Sequence, residues 1–216
     1  MTDITDNQNM PPFITLDGID GVGKSTQIEN LVDYLTGKGH EVLTVRDPGS
    51  TEIGTRLRAI LLDSDLEIHR RTEAMLFMSS RCEMIEKTIR PALESGKIVI
   101  SDRFLLATVV YQSTVSNSQT GVAPDTLWQM GDLANDGLKP DLTLLLDMPA
   151  EQAVKRMDGP ADRMESRGID YMESVRQAFL EQLTNSSPHT AIIDADRSPD
   201  EVKKDIVAAV SESLSL

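Results

Sequence analysis

Cysteine occurs once in the 216 residues, at Cys82. A single thiol forms no intrachain disulfide and no thiolate metal cluster, so the chain suits a reducing compartment, and the cytoplasm is the expected location. An excess of basic residues is also lacking: 21 Lys and Arg stand against 35 Asp and Glu, for a formal charge of −14. Sequence-independent nucleic-acid binding draws its affinity from phosphate neutralisation, so no nucleic-acid partner is expected and any phosphate must be captured locally. The acidic surface reads as a solubility feature. Long apolar runs are missing too, none approaching the roughly 18 residues of a membrane span. The opening MTDITDNQNMPP has neither the positive start nor the apolar core of a signal peptide. Residues 1–12 therefore read as a loose tail, with no membrane partner, and 13–216 as a single domain. At 39% hydrophobic, that length is enough to bury a full core.

Five short apolar runs rich in β-branched residues are present: FITLD (13–17), EVLTV (41–45), KIVIS (97–101), LTLLLD (142–147) and TAIID (190–194). Segments of helical spacing lie between them. In TQIENLVDYLTGKG, Ile28, Leu31, Val32 and Leu35 share one face, and Gly37 and Gly39 end the pattern. Further helices are expected around 55–62, 72–95, 124–135, 150–157, 170–184 and 199–214. Strands buried on both faces and alternating with helices predict an α/β fold in which helices wrap a parallel sheet.

GIDGVGKS, from Gly18 to Ser25, satisfies G-x-x-x-x-G-K-[ST] between a predicted strand and a predicted helix. Glycine lets backbone N–H groups turn inward around phosphate oxygens, and the helix start adds unpaired N–H groups and a positive dipole end. The nucleotide-binding set is Gly18, Ile19, Asp20, Gly21, Val22, Gly23, Lys24, Ser25 and Thr26. Lys24 would reach the β- and γ-phosphates, and the Ser25 hydroxyl would ligate Mg²⁺. The pattern specifies a nucleoside triphosphate without saying what is done with it. No N-K-x-D occurs, and no D-x-x-G follows the loop, so the markers of a GTPase are absent.

Asp102 and Arg103 leave the C-terminal end of a predicted buried strand, where open α/β sheets place their ligands. A carboxylate there can hold Mg²⁺ through water and an arginine can grip a second phosphate; the same two residues also fit a structural ion pair. Arg156 and the run DGPADRMESRG, with Arg163 and Arg167, gather arginines in a polar segment broken by Asp158, Gly159 and Pro160. An arginine brought onto a transferring phosphoryl group accelerates the reaction, and closure excludes competing water. A short mobile lid at about 156–168 is expected, although a solvated helix face would carry the same residues.

FITLDGIDGVGKSTQ, TVRDPGSTEIGTRLRAILL, MLFMSSR, IRPALESGKIVISDRF, VYQS, KPDLTLLLD and DRME followed by VRQAF occur in order from about Phe13 to about Asp196. With these motifs the chain resembles the thymidylate kinase family of P-loop nucleoside monophosphate kinases. The resemblance implies a three-layer P-loop NTPase fold with a five-stranded parallel sheet. It also implies transfer of phosphate from ATP with Mg²⁺ to dTMP, giving dTDP, and a homodimer. Position by position it implies that Phe77 stacks on the thymine ring, Arg81 binds a thymine carbonyl, and Arg103 grips the acceptor phosphate. Asp20 would lie near the sugar 3′ hydroxyl and Mg²⁺. Asp47 and Pro48 would line the acceptor site, with a cis proline. Thr108 and Tyr111 would sit beside the base and the deoxyribose, where a tyrosine ring excludes a 2′ hydroxyl by bulk. Gln112 is a further candidate for the base. Phe77 and Arg81 are four apart, which puts a ring and a fork of donors on one helical face.

Some positions depart from the family pattern. Gly21 stands where one subgroup carries a P-loop arginine, which shifts the catalytic expectation to Lys24, Asp20 and the lid arginines Arg156, Arg163 and Arg167. Asp47 replaces a longer Glu, Phe104 replaces a tyrosine, and Leu105-Leu106-Ala107 is unusually apolar. A kinase for another acceptor, such as dUMP, and a noncatalytic nucleotide sensor remain alternative readings. His40, His69 and His189 are scattered without metal spacing, Cys82 reads as a buried inert thiol, and Trp128 is expected at a helix interface.

Overall fold

The computed structural model describes residues 10–63, 65–115, 120–157, 168–214 and 216. The strands are β1 (Phe13–Asp17), β2 (Val42–Arg46), β3 (Ile98–Asp102), β4 (Leu142–Asp147) and β5 (His189–Asp194). They form one all-parallel sheet in the order β2-β3-β1-β4-β5. β1, β3 and β4 are buried on both faces, whereas the edge strands β2 and β5 are partly exposed, because only one side of each carries a neighbour. The pleat sends alternate residues to opposite layers. Ile14, Leu16, Ile98 and Ile100 enter one apolar cluster, and Phe13 and Val99 the other.

The helices are α1 (Lys24–Gly37), α2 (Glu52–Leu62), α3 (Arg70–Met84), α4 (Arg90–Glu94), α5 (Leu105–Ser113), α6 (Pro124–Asn135), α7 (Ala150–Lys155), α8 (Ile169–Gln182) and α9 (Pro199–Leu214). Leu31 and Leu35 of α1 join Val202, Ile206 and Val210 of α9 in the first cluster; Ala74, Met78 and Met84 of α3 join Leu127 of α6 in the second. The expected helix at 72–95 is realised as α3 and α4 joined by a π turn over Ile85–Ile89. That wider turn stands just before Pro91, whose ring and missing N–H disfavour ordinary i to i−4 bonding.

The sequence pattern gave no sign of α5. Seven of its nine residues are buried, so it has no polar stripe and no amphipathic period to detect. One smaller expectation needs adjusting and one holds. Cys82 is exposed and unpaired rather than buried. Trp128 does lie between helices, its Nε1 donating to Gln182 of α8 at 2.9 Å. Arg163, Arg167 and nearly all of the expected lid lie outside the described residues, as do residues 1–9 of the expected tail.

At the end of β1, Asp17 is fully buried, and neither carboxyl oxygen has a hydrogen-bond partner among the described residues. Burial raises its pKa to about 7, against the opposing pull of Arg103 and Lys24. An acid whose pKa is higher folded than unfolded contributes its full stability below the unfolded value and loses it as pH rises through the folded one. By linkage the loss amounts to roughly 4 kcal/mol. Urea unfolding at about pH 5 and about pH 8 should therefore show the wild type losing stability relative to the Asp17→Asn variant. Parallel changes in the two proteins would contradict the assignment.

Candidate active site

Between β1 and α1, the chain from Gly18 to Gly23 passes close against neighbouring backbone at two of its glycines. Gly18 and Gly21 have φ of 134° and 84°. A Cβ on Gly21 would lie 2.2 Å from the Ala153 carbonyl, and one on Gly18 would lie 2.4 Å from the Leu146 carbonyl. Only glycine fits either place. Ile19 and Val22 are buried and anchor the loop in the core. No side chain caps the start of α1, which leaves its first N–H groups available to an anion. Ser25 and Thr26 are exposed at that end. Lys24 is buried and donates from Nζ to the carbonyls of Ile19 at 2.8 Å and Gly18 at 3.1 Å, with Asp20 at 3.6 Å. Burial, reinforced by the charge of Arg103, pushes its pKa down to about 8.

β3 lies next to β1, and the chain leaving it brings Arg103 onto the same loop. Arg103 holds a left-handed backbone, φ 69°. Its Nη1 donates to the Gly18 carbonyl at 2.8 Å, and its Nη2 to Asp20 Oδ1 at 2.6 Å and to Tyr111 Oη at 3.2 Å. Tyr111 Oη donates in turn to Asp20 Oδ2 at 3.2 Å. Burial works against ionisation of Asp20, but the Arg103 and Lys24 charges prevail and hold its carboxyl well below the usual carboxylate range. Arg103 and Asp20 are thus charged together.

Beside this junction opens a cavity of about 690 Å³ lined by Asp20, Asp47, Pro48, Arg58, Phe77, Arg103, Thr108, Tyr111 and Gln112, among others. The Asp47–Pro48 bond is cis. Eight of the expected acceptor residues therefore meet in one wall. Arg81, expected at a thymine carbonyl, does not line it. Its guanidinium is buried behind, donating from Nε to Asp47 at 2.6 Å and from Nη2 to Thr108 and to the Phe104 carbonyl. Phe104 stands beneath, with the Arg81 cation 5.3 Å from its ring centroid.

Arg58 was missed by sequence reasoning. It extends from α2 into the cavity, and its Nη1 donates to the Pro48 carbonyl at 3.1 Å. An arginine after RDPG on a short helix looks like a surface charge, and only the fold turns it inward. Arg156 is brought to a different place from the acceptor cavity. It shares a second cavity, of about 800 Å³, with Gly21, Gly23, Thr26 and Arg197, and its Nη1 donates to the Ala195 carbonyl at 3.0 Å.

Ser25 and Asp102 line a third, open cavity of about 920 Å³ together with Arg46. Asp102 Oδ2 is paired with Arg46 Nε at 3.2 Å, while its buried Oδ1 has no hydrogen-bond partner among the described residues. Asp20, with both oxygens engaged by Arg103 and Tyr111, faces the acceptor cavity instead. Among the described residues no group of three or more His, Cys, Asp or Glu is placed to hold a metal. No helix among them is long and apolar enough to cross a membrane.

Residues 16–206 match the family model described as thymidylate kinase. A protein named thymidylate kinase from Rhodopirellula baltica is 63% identical over 91% of this chain and 78% of its own length. One of the same name from Thermosipho africanus is 38% identical over 94% of this chain and 98% of its own. Another, from Desulforudis audaxviator, is 42% identical over 86% and 83%. A match over most of the sheet, the glycine loop and the acceptor cavity together leaves one conclusion, that the chain belongs to the thymidylate kinase family.

Proposed function

We infer that the chain transfers the γ-phosphoryl group of ATP to dTMP, giving ADP and dTDP, a step toward dTTP. The observation that carries this reading is the meeting of a phosphate-binding loop with a cavity lined by an aromatic ring, a tyrosine and arginines, across one of those arginines. Arg103 touches the loop at Gly18 and faces the cavity as well.

dTMP would lie with its base over Phe77, beside Thr108 and Gln112, and its sugar against Tyr111. Arg81, buried beneath Thr108 and paired with Asp47, braces the base end of the cavity. Arg103 and Arg58 would hold the acceptor phosphate from two sides, each as a planar fork. The triphosphate would occupy the loop from Gly18 to Thr26, with Lys24 exchanging its bonds to the Gly18 and Ile19 carbonyls for phosphate oxygens. The low pKa of Lys24 supports this, because a phosphate dianion supplies the counter-charge that burial withholds. Arg156, beside the glycine loop and away from the acceptor cavity, fits the nucleoside of the donor better than the reacting centre. The transferring group would then be met by Arg163 or Arg167.

A nucleotide phosphate is already ionised, so attack in line on the γ-phosphorus needs no general base. Positioning and charge carry the catalysis. The residues present fit Mg²⁺: Ser25 supplies a hydroxyl and Asp102 a carboxylate, and both line the same space. Such a sparse protein set suits an ion that arrives largely on the triphosphate. When bound, the ion neutralises charge on the β- and γ-phosphates. Asp20 is better placed to orient Arg103 and the acceptor sugar than to ligate the metal.

A homodimer fits the exposed Met75 of α3 and Leu133 of α6, whose helices pack against each other; mass in solution is the check. A cytoplasmic location is supported by the unpaired, exposed Cys82, which would be at risk in an oxidising compartment.

ADP release with ATP–Mg²⁺ and each of dTMP, dUMP, UMP, CMP, AMP and GMP tests the function. dTMP should be strongly preferred; a different preferred acceptor, or none while ATP still binds, would refute the reading. Base stacking on an aromatic ring contributes roughly 1–3 kcal/mol. Phe77→Ala should therefore raise the KM for dTMP about 10- to 100-fold and leave that for ATP nearly unchanged. Equal effects on the two substrates would remove Phe77 from the base.

A further inference from the structure

The glycine loop abuts α7, and little in α7 itself explains why that helix stays where it is. It is six residues long, too short to be a stable helix alone. Its fully buried side chains are two alanines, Ala150 and Ala153, which offer little apolar area to grip a neighbour. Yet the contact with the loop has no slack. A Cβ on Gly21 would lie 2.2 Å from the Ala153 carbonyl oxygen, 2.8 Å from its carbon and 3.0 Å from Met157 Cγ. The backbone of the loop therefore rests directly on the last turn of α7.

The start of α7 is held by two residues of α8. Arg176 forks onto the carboxylate of Asp147, the last residue of β4, with Nε 2.7 Å from Oδ1 and Nη2 2.8 Å from Oδ2. Two parallel bonds fix orientation as well as distance. The remaining nitrogen, Nη1, donates to Glu173 Oε1 at 3.0 Å. Glu173 Oε2 accepts the Ala150 N–H at 3.2 Å, one of the donors that a helix leaves unpaired in its first turn. A single network thus runs from the end of β4 through α8 to the first residue of α7. The Arg176 and Asp147 side chains are 21% and 19% exposed, so water can hydrate either one when its partner is removed, and the network can be cut without leaving a buried, unpaired charge.

We propose that Arg176, acting through Asp147 and Glu173, is a positioning residue for the donor nucleotide: it fixes α7 against Gly21 and so holds the phosphate loop in its binding shape. This rests on the reading of that loop as the triphosphate site. N–H groups that already converge bind phosphate without first being ordered, whereas a loose loop spends part of its affinity on ordering. Gly21, with φ of 84°, has no side chain to restrict its backbone. Its conformation must come from what it touches, and that is α7. The acceptor cavity is lined by no residue of α7 or α8 among the described residues. α8 does reach Tyr111, but through Tyr171 and Phe179 rather than Glu173 or Arg176. Cutting the network should therefore weaken the donor site and spare the acceptor site.

Calorimetric titration of ADP–Mg²⁺ and, separately, of dTMP into the full chain tests this, because ADP engages the loop through its β-phosphate and needs no turnover. In Arg176→Gln and in Glu173→Ala the Kd for ADP should rise about 10-fold, with that for dTMP nearly unchanged. Glu173→Gln, whose amide oxygen can still accept the Ala150 N–H, should bind ADP more tightly than Glu173→Ala. Adding Asp147→Asn to Arg176→Gln should cost little more than Arg176→Gln alone, since both cut the same link. A merely destabilised fold lowers the fraction of molecules that bind either ligand and does not single out the Kd for ADP. An ADP affinity unchanged in Arg176→Gln or in Glu173→Ala, or equal weakening of ADP and dTMP, would overturn the proposal and leave the dTMP kinase reading intact. A wild type that binds dTMP but not ADP would instead overturn the reading of the loop.

Discussion

Arg103 donates from Nη1 to the Gly18 carbonyl and from Nη2 to Asp20, so that the end of β3 is fixed to the loop after β1 by one planar fork. Adjacent parallel strands bring the two segments together, but pairing alone does not set the angle between a phosphate-binding loop and its neighbour. The fork does, and most of the site depends on it. Asp20 receives Tyr111 on its second oxygen. Tyr111 carries α5 with it, and α5 supplies Thr108 and Gln112 to the cavity wall. On the proposed reading, the distance between donor and acceptor phosphates is thus built into one side chain. Association of two phosphate-bearing substrates then needs only small adjustments to reach an in-line arrangement.

The charge distribution follows the same logic. A chain with net charge −14 has no long-range attraction for nucleotides, yet Lys24, Arg46, Arg58 and Arg103 converge at the C-terminal ends of β1, β2 and β3. Asp17, Asp20, Asp47 and Asp102 stand among them. Lys24 and Arg103 are thereby held in a largely buried region, with Arg58 half-buried and Arg46 exposed at its edge, without a surplus of positive charge. The ion pairs Arg81–Asp47 and Arg70–Glu73 are nearly solvent-free, and desolvation makes such pairs poor sources of stability. Their value on this account is geometric: one braces the wall at Thr108, the other the end of α5.

Local patterns in the sequence were enough for the frame and for the phosphate loop. All five strands appeared as short apolar runs, displaced by at most one residue at their ends, and the glycine loop could be placed between β1 and α1 because both flanks agreed with it. α5 was invisible because burial on every side erases the period that marks a helix. The charged residues were legible in proportion to their sequence context. Asp102 and Arg103 follow a buried strand directly and could be placed. Arg58, Arg70 and Glu73 lie on ordinary-looking helical segments, where charges are normally solvated, and only tertiary packing turns them inward. Arg81 was assigned to the base from the family pattern, yet its partner Asp47 is 34 positions away, a separation that no local pattern reveals.

The central claim is that the fork of Arg103, and not merely its charge, holds the two substrate sites in register. Arg103→Lys preserves the charge and removes the fork, since an ammonium is a point donor without the planar spread that spans Gly18 and Asp20. Steady-state kinetics of this variant with ATP and dTMP is the most direct measurement. The account predicts that kcat falls about 10-fold or more, with the KM for both substrates rising, because losing a buried charge-assisted bond costs roughly 1.5–3 kcal/mol. Wild-type kcat with both KM values unchanged would contradict it.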